Sequence, residues 1–235
     1  MLQNPFKSLR KREWALWGAS LFLVLLSNIL CGQMDLVNLS ATTLGVTALI
    51  FIARGDVWGQ ILTVIFSVLY GIVSYRFRYW GEMITYLGMS LPIAAISIFT
   101  WLKNPYAKDR NEVRIAKMTG GSVAFMWALT LCVTALFYFI LRAFDTPNLI
   151  PSTVSVTTSF LACYLLMMRN SHYALAYAAN DVVLIVLWVL ATIADLSYLP
   201  MVVNFLMFLM NDLYGFINWK KREKKQGVQQ PPHHK

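Results

Sequence analysis

The chain has 235 residues, of which 58% are hydrophobic and only 13% charged, and its mean hydropathy is +0.57. An average soluble domain is nearer half apolar and a quarter charged, so this composition excludes a disordered chain, a solenoid of charged helices and a nucleic-acid-binding domain. The formal net charge of +9 then needs another explanation, which depends on where the basic residues lie.

Apolar runs long enough to cross a bilayer dominate the sequence. About 20 apolar residues cross the hydrocarbon core as a helix, and only helices or closed barrels satisfy the backbone there. We predict an all-α integral membrane protein with eight transmembrane helices, at 14–32, 38–53, 57–75, 82–101, 119–141, 151–168, 173–194 and 199–219. The first run is too long for a signal peptide and no small-residue cleavage site follows it, so we expect it to be retained.

The basic residues are distributed asymmetrically over the predicted loops. With the N-terminus in the cytoplasm, 17 of the 20 basic residues lie on the cytoplasmic side, and only Arg76, Arg78 and Arg142 lie outside. Positive residues in short loops set the orientation of membrane helices. The pattern predicts a multi-pass protein of the cell membrane with both termini cytoplasmic, and it explains the net charge without a nucleic-acid partner.

The final segment, 220–235, is basic and then rich in Gln and Pro, and we expect it to be a disordered cytoplasmic tail. It ends in His233 and His234, to which we assign no metal role. The three cysteines lie apart in apolar runs without metal-ligand spacing, so no cofactor or metal is predicted.

An internal repeat is visible at a spacing of about 115 residues. The elements that recur are Ser40-Ala41-Thr42-Thr43 with Arg54, matched by Ser155-Val156-Thr157-Thr158 with Arg169, and Trp101, matched 118 residues later by Trp219. Chance similarity between membrane helices of small alphabet is the alternative explanation.

Taken as real, the repeat predicts two parallel three-helix units, a plan known from transporters with a midplane site at the repeat interface. The resulting 1 + 3 + 1 + 3 arrangement divides the chain as follows: 1–37, the N-terminal segment and extra first helix; 38–101, repeat 1; 102–150, a loop and linker helix; 151–219, repeat 2; and 220–235, the tail.

Polar side chains inside the predicted spans fall on single helix faces. The third span has Gln60, Thr63, Ser67, Tyr70 and Ser74; the fourth has Glu82, Tyr86, Ser90, Ser97 and Thr100, with Pro92 interrupting its hydrogen-bond ladder; the seventh has Tyr173, Tyr177, Asn180 or Asp181, and Trp188; and the eighth has Asn204, Asn211 and Asn218. Such stripes favour a polar cavity, although helix packing is an alternative and the asparagines could equally join helices.

Amides flanked by aromatic rings suit a neutral, hydrogen-bonding solute that contains a ring. Asp181 is an intramembrane acid, so it could bind a cation or proton, pair with a partner, or accept hydrogen bonds from a sugar hydroxyl. The sequence has no phosphate-binding loop and no hydrolase or metalloprotease motif, so we predict no enzyme activity. No arginine is expected in mid-span, which argues against a phosphorylated substrate.

Several segments resemble one transporter family. These are Tyr79-Trp80-Gly81-Glu82-Met83, the end of the fourth span at Trp101, and Asp212-Leu213-Tyr214-Gly215-Phe216-Ile217-Asn218-Trp219-Lys220-Lys221. Over residues 38–221 the chain resembles the PnuC-type nicotinamide riboside transporters. The resemblance implies a fold similar to the SWEET sugar transporters, uptake of a vitamin-like nucleoside by facilitated diffusion, and trapping of the product by a cytosolic kinase.

The chain departs from that family where the substrate would be read. The family's WxxWxxN/D element falls on Ala174, Tyr177 and Asn180, and a glutamine usual after the first signature is Tyr86 here. The resemblance therefore leaves thiamine, riboflavin and deoxynucleosides as further candidate substrates.

We predict a small-molecule carrier embedded in the lipid bilayer, and its oligomeric state is open, with a homo-oligomer as one alternative. The candidate substrate-binding residues are Gln60, Tyr70, Tyr86, Ser90, Tyr177, Asn180, Asp181, Trp188 and Asn211. The alternatives are an ion-coupled carrier that uses Asp181 and a membrane scaffold without transport activity.

Overall fold

The computed structural model describes residues 3–32, 35–76, 80–106, 109–146 and 148–228. These residues form eight helices, namely α1 Lys11–Leu30, α2 Leu36–Ala53, α3 Val57–Arg76, α4 Trp80–Lys103, α5 Gly120–Ala143, α6 Leu149–Met167, α7 Tyr173–Ala194 and α8 Leu199–Val228. In that described part, seven helices are long and apolar enough to cross a membrane, and residues 39–53 of α2 form a shorter apolar helix. The chain is a multi-pass helical membrane protein, as its composition predicted.

Helix α4 contains a π turn at Tyr86–Ser90, which ends two residues before Pro92. Its α-helical parts are Trp80–Thr85 and Leu91–Lys103. Proline has no N–H to donate, and its ring crowds the carbonyl one turn earlier. One extra residue in the preceding turn accommodates the proline, so that the neighbouring backbone hydrogen bonds still form. The N–H of Leu91 donates to the carbonyl of Tyr86, five residues earlier. The predicted interruption at Pro92 is therefore confirmed, in the form of a widened turn.

Six helices form a closed ring in two groups of three. In the first helix group, α2 packs on α3 and α3 on α4; in the second helix group, α6 packs on α7 and α7 on α8. The ring closes because α2 contacts α8, and α6 contacts α4. Each interface thus joins the first helix of one group to the third helix of the other. Helix α1 lies outside the ring against α2 and α8, and α5 lies outside against α6.

The outer surface of the helices is apolar. Large hydrophobic side chains such as Phe22, Leu131, Phe139 and Ile193 are exposed, the last by 78% of its surface. In a soluble protein such a continuous apolar surface would associate, whereas a bilayer matches it. Many polar side chains of α3, α4, α6 and α7 lie inside the ring instead.

One end of the bundle carries most of the basic residues of the connections. We define this basic end by the α2–α3 connection, the segment 104–119 between α4 and α5, the α6–α7 connection and the C-terminal turns of α8. In it, β1 Pro105–Tyr106 and β2 Asp109–Val113 form an antiparallel hairpin. The N–H of Val113 donates to the carbonyl of Gly55, which attaches the hairpin to the α2–α3 connection. Two strands this short carry too little alternation to be predicted from sequence.

The first part of the predicted disordered tail is helical, which corrects that expectation. Helix α8 continues to Val228 because its basic turns find partners at the basic end. The Gln226 side chain accepts from the N–H of Ile115 (2.7 Å) and donates to the carbonyl of Val113 (3.2 Å), and Arg222 forms an ion pair with Glu112. Residues 229–235, with both terminal histidines, lie outside the described residues, as do Arg78 and Tyr79.

Two tryptophans join the helix groups at the basic end in a reciprocal way. The indole Nε1 of Trp101 in α4 donates to the carbonyl of Leu166 in α6 (3.2 Å). The indole Nε1 of Trp219 in α8 donates to the carbonyl of Ile52 in α2 (2.8 Å). Both rings are buried and lie 5.8 Å apart between centroids. The bundle is therefore sealed by an aromatic contact in which each group supplies both a donor and an acceptor.

The turns that follow α2 and α6 have matching hydrogen bonds. Gly55 and Arg169 adopt left-handed conformations, with φ of 68° and 59°, and their N–H groups donate to the carbonyls of Ile52 and Leu166. The next residues, Asp56 and Asn170, each accept through Oδ1 from the N–H two residues later. This match has a spacing of 114 residues. The sequence matches of the Ser-x-Thr-Thr (SxTT) element and of the arginine have a spacing one residue longer.

Helix α1 is tied to the ring by a buried carboxylate. Glu13 is fully buried, forms a 2.7 Å ion pair with Arg54 and accepts a hydrogen bond from the Tyr214 hydroxyl (2.9 Å). Its other contact is the N–H of Arg10 at the start of the helix. A buried carboxylate needs such partners, and here they come from the α2–α3 connection and α8.

Candidate binding site

The ring of helices encloses a cavity of about 440 Å³. Its lining includes side chains of α2, α3, α4, α6, α7 and α8, and it continues to the opposite end of the bundle, at Phe144, Thr146, Asn148 and Tyr198. Towards the basic end the cavity stops before the buried pair Trp101 and Trp219. The cavity therefore lies between the helix groups, extends towards one end and is sealed from the other by aromatic side chains.

One wall of the cavity is aromatic and comes from the first helix group. Phe66 and Tyr70 lie one turn apart on α3, and the π turn of α4 places Tyr86 against both of them. The ring centroids of Tyr70 and Tyr86 are 4.5 Å apart, and those of Phe66 and Tyr86 are 5.6 Å apart. The Tyr70 hydroxyl donates to Glu82 Oε2 (2.9 Å). This wall offers faces on which a planar ring can stack.

The facing wall comes from the second helix group and is polar. Asn180 Oδ1 accepts hydrogen bonds from the hydroxyls of Ser155 and Thr158 on α6, both at 3.0 Å. Two hydroxyls on the same oxygen fix the rotation of the amide, so its nitrogen is directed away from α6. The Tyr177 hydroxyl contacts Cys163 Sγ at 3.0 Å. The wall is therefore pre-organised before any ligand binds.

Several polar groups that line the cavity have no protein partner among the described residues. Gln60 Nε2 and Ser67 Oγ on α3 are buried and make no hydrogen bond there. Buried donors without partners are costly, so a polar group inside the cavity would stabilise them. Both side chains belong to the stripe predicted on the third span.

Three acidic residues line the cavity, namely Glu82, Asp181 and Asp212. The described lining contains no Lys, Arg or His. Charges interact strongly in the low-dielectric interior of a membrane protein. The cavity therefore favours a cation or a hydrogen-bond donor and disfavours a phosphate group.

Eight of the nine predicted site residues line this cavity: Gln60, Tyr70, Tyr86, Ser90, Tyr177, Asn180, Asp181 and Trp188. Asn211 does not. Its amide nitrogen donates to Ser20 Oγ on α1 (3.0 Å) and to the carbonyl of Met207 (2.7 Å). One residue along a helix turns the side chain by about 100°, so Asp212 faces the cavity while Asn211 faces α1.

Asp212 and Glu82 line the cavity but are absent from the predicted substrate-binding residues. Asp212 lies beside the asparagines that recur every seven residues, and that regular pattern marks a face of α8 that does not line the cavity. Glu82 belongs to the stripe predicted on the fourth span, and it stands in the segment that resembles a family signature. The available signal for both was an acidic residue within an apolar run.

Comparison with known proteins gives consistent results. The model of the family described as "Nicotinamide mononucleotide transporter" matches residues 35–221. A nicotinamide riboside transporter PnuC of Neisseria mucosa is 25% identical over 198 residues, which cover 83% of this chain and 75% of that protein. Another, of Haemophilus influenzae, is 26% identical over 182 residues, which cover 77% of each.

The fold is also that of a solved structure. The crystal structure of "the Vitamin B3 transporter PnuC" matches with a TM-score of 0.78 and 21% sequence identity, over 93% of this chain and 94% of that one. At that identity the likeness concerns the fold. Since the family model covers most of the sequence, the chain belongs to the nicotinamide mononucleotide transporter family of membrane proteins.

Proposed function

We propose that this protein takes up nicotinamide riboside across the cell membrane by facilitated diffusion. The observation that carries the proposal is the cavity, which combines an aromatic wall with acidic and amide groups and has no basic side chain in its described lining. Nicotinamide riboside has a positively charged planar ring, a carboxamide and sugar hydroxyls. Each of these finds a complementary group in the cavity.

The charge of the cavity favours the nucleoside over the nucleotide. Nicotinamide mononucleotide carries an additional phosphate, which would meet Glu82, Asp181 and Asp212 without a cation to pair with. Phosphate recognition in proteins uses Arg, Lys or helix N-termini. The relatives named as nicotinamide riboside transporters support the same choice.

In this proposal the substrate lies between the walls. Tyr70, Tyr86 and Trp188 stack on the base, and Gln60, Ser90, Tyr177, Asn180 and Asp181 bind the carboxamide, the ribose and the charge. The position of the family's first tryptophan is Ala174, and that of the second is Tyr177, so in this chain other side chains stack the ring. Thiamine, riboflavin and deoxynucleosides are the alternative substrates.

We further propose the 1 + 3 + 1 + 3 arrangement with two parallel repeats, α2–α4 and α6–α8. The reciprocal hydrogen bonds of Trp101 and Trp219 support it, as do the matching turns after α2 and α6. Transport then proceeds by rocking of the two repeats about the cavity. The π turn before Pro92 is the compliant point of α4.

The basic end is cytoplasmic in this proposal, because positive residues are retained on that side. Both termini then lie in the cytoplasm, and the cavity extends towards the outside. Substrate enters from outside, and opening of the Trp101–Trp219 seal releases it. Phosphorylation by a cytosolic kinase traps the product.

Uptake of labelled nicotinamide riboside into proteoliposomes tests the proposal. We expect saturable uptake that unlabelled nicotinamide riboside inhibits and nicotinamide mononucleotide does not. Thiamine, riboflavin and thymidine serve as competitors that identify an alternative substrate. Failure of nicotinamide riboside to enter, with uptake of one of these, would refute the substrate assignment.

Variants of the polar wall test the site. Asn180→Ala and Tyr177→Ala should each reduce uptake at subsaturating substrate about tenfold or more, equivalent to at least about 1.4 kcal/mol. Phe139→Ala, on the exposed face of α5, is the control and should transport normally. Unchanged uptake in both site variants would contradict the assignment.

A further inference from the structure

Two acidic side chains of the second helix group meet inside the cavity. Asp181 on α7 and Asp212 on α8 are 3% and 4% exposed, and both line the cavity. Their carboxyl groups lie within hydrogen-bonding contact of each other. A carboxylate only accepts hydrogen bonds, so a bond between two carboxyl groups requires that one of them carries a proton.

The pair has no compensating cation among the described residues. Neither aspartate is in an ion pair there. The titratable groups that interact with the pair, or with a neighbour of the pair, are Glu82 and Tyr86 of α4, Cys163 of α6, Tyr173 and Tyr177 of α7, and Arg222 of α8. Helix α2 has no titratable side chain.

The nearby cations are already occupied. Arg54 is paired with Glu13, and Arg222 with Glu112. One shared proton leaves the pair with a single negative charge, whereas two ionised carboxylates in contact would repel each other strongly in this setting. A positively charged ligand is what would allow the second charge to form.

We propose that the Asp181–Asp212 pair is a proton-exchanging cation site, which releases its shared proton when a cationic solute binds in the cavity. The reaction is an exchange without covalent change: one proton leaves to solvent, the pair goes from one negative charge to two, and the solute brings one positive charge. This inference rests on the proposed function in placing the solute in the same cavity. It adds that binding is linked to pH, and transport stays facilitated diffusion when the empty carrier can return with the pair in either protonation state.

The linkage has a definite sign. Protons compete with the cationic solute for the pair, so affinity rises as the pH rises over the range in which the empty pair holds its proton. For one proton released, the dissociation constant falls by up to about tenfold per pH unit. A neutral ligand in the same cavity leaves the proton in place and binds with little pH dependence.

Calorimetric titration of the purified full-length protein tests the proposal. The probes are two cations, nicotinamide riboside and thiamine, and one neutral compound, the reduced dihydropyridine form of nicotinamide riboside. Each is titrated in buffers of different ionisation enthalpy, which gives the number of protons released, and over pH 5.5–8.5. We expect close to one proton for a bound cation and close to none for the neutral form.

The variants Asp181→Asn and Asp212→Asn separate the linkage from binding. In each, the new amide donates to the remaining carboxylate, so one negative charge persists without a shared proton. We expect the cation to bind still, with proton release lost and an affinity that no longer changes with pH. Asp195→Asn changes an exposed aspartate outside the cavity and should keep the wild-type proton release.

The outcomes distinguish this inference from the proposed function. Proton-linked binding of thiamine without binding of nicotinamide riboside would refute the substrate assignment and support the exchange site. Binding of either cation without proton release, or unchanged release in both aspartate variants, would overturn the exchange site. Failure of both cations to bind would overturn it as well.

Discussion

The two helix groups resemble each other at the basic end and differ inside the cavity. At the basic end, each group donates an indole N–H to a carbonyl of the other and ends its first helix with the same turn. Inside the cavity, the 114-residue spacing of the turns, applied along α3 and α7, makes Phe66 equivalent to Asn180 and Ser67 equivalent to Asp181. The 118-residue spacing of the tryptophans makes Ala94 equivalent to Asp212. All six residues line the cavity.

In the proposed function, this difference lets a nearly symmetric scaffold bind an asymmetric ligand. Contacts that close the bundle are duplicated, because both groups need the same partner surface. The side chains that face the cavity differ: Phe66, Tyr70 and Tyr86 form an aromatic wall in the first helix group, whereas Asn180, Asp181 and Asp212 line the second. The predictions below test each half of this comparison.

The largest effect should come from the reciprocal tryptophans. Trp101→Ala removes a fully buried ring and should reduce the free energy of unfolding by about 3–5 kcal/mol. Trp219→Ala should have a similar effect, because its ring is equally buried. Thermal unfolding in detergent measures both, and Trp127→Ala, whose ring is half exposed on α5, is the control. A large loss in only one of the two would refute their equivalence.

The hydroxyls that hold Asn180 should matter for binding. The double variant Ser155→Ala/Thr158→Ala removes two hydrogen bonds to Asn180 Oδ1 and frees the amide to rotate. An unsatisfied polar group costs about 1–3 kcal/mol, so KM for the transported nucleoside should rise about tenfold. The matched control is Ser40→Ala/Thr43→Ala in α2, which carries the same sequence pattern outside the cavity lining. Equal losses in both double variants would show a general packing effect.

Attachment of the hairpin to α8 should affect local stability more than transport. Gln226→Ala removes two hydrogen bonds and should speed amide exchange at Ile115 and in β2 about tenfold, from a loss of about 1–2 kcal/mol. Uptake should stay within about twofold of wild type, because the cavity is distant. Lys224→Ala, at an exposed position of the same helix, should leave exchange unchanged. A large loss of uptake would show that the hairpin takes part in transport.

The smallest effect should come from the aromatic wall. Tyr70→Phe keeps the ring and removes the donor to Glu82 Oε2. We expect affinity for the nucleoside to fall by a few-fold, about 1 kcal/mol, measured by binding in detergent. Tyr75→Phe, on the exposed face of α3, provides the comparison and should bind normally. A loss as large as that of Asn180→Ala would mean that the hydroxyl contacts the ligand directly.

Much of the site could be predicted from residue spacing alone. Gln60, Ser67 and Tyr70 recur at helical intervals, and the structure places all three in the cavity lining. The same reasoning was wrong for Asn211, because a repeat of seven residues describes one face of α8 without showing which neighbour it meets. That neighbour is Ser20 of α1, distant in sequence.

The tail and the repeat show the same limit. Charge and Gln-Pro content predict disorder at 220–235, yet Gln226 and Arg222 bind the segment between α4 and α5 and extend the helix. The SxTT match indicates a spacing of 115, whereas the turns in the structure match at 114. Short sequence matches in membrane helices do not resolve a shift of one residue, while hydrogen bonds in a turn do.

The sequence by itself determined the helical spans, the asymmetry of the basic residues and the stripes of polar side chains. These depend on apolar length, charge and periodicity, which are local properties that add along the chain. Only the tertiary structure decided which stripes face one another, how the tryptophans close the basic end, and that Asp181 and Asp212 both line the cavity. Those contacts join residues from different helices, and their partners are set by packing geometry.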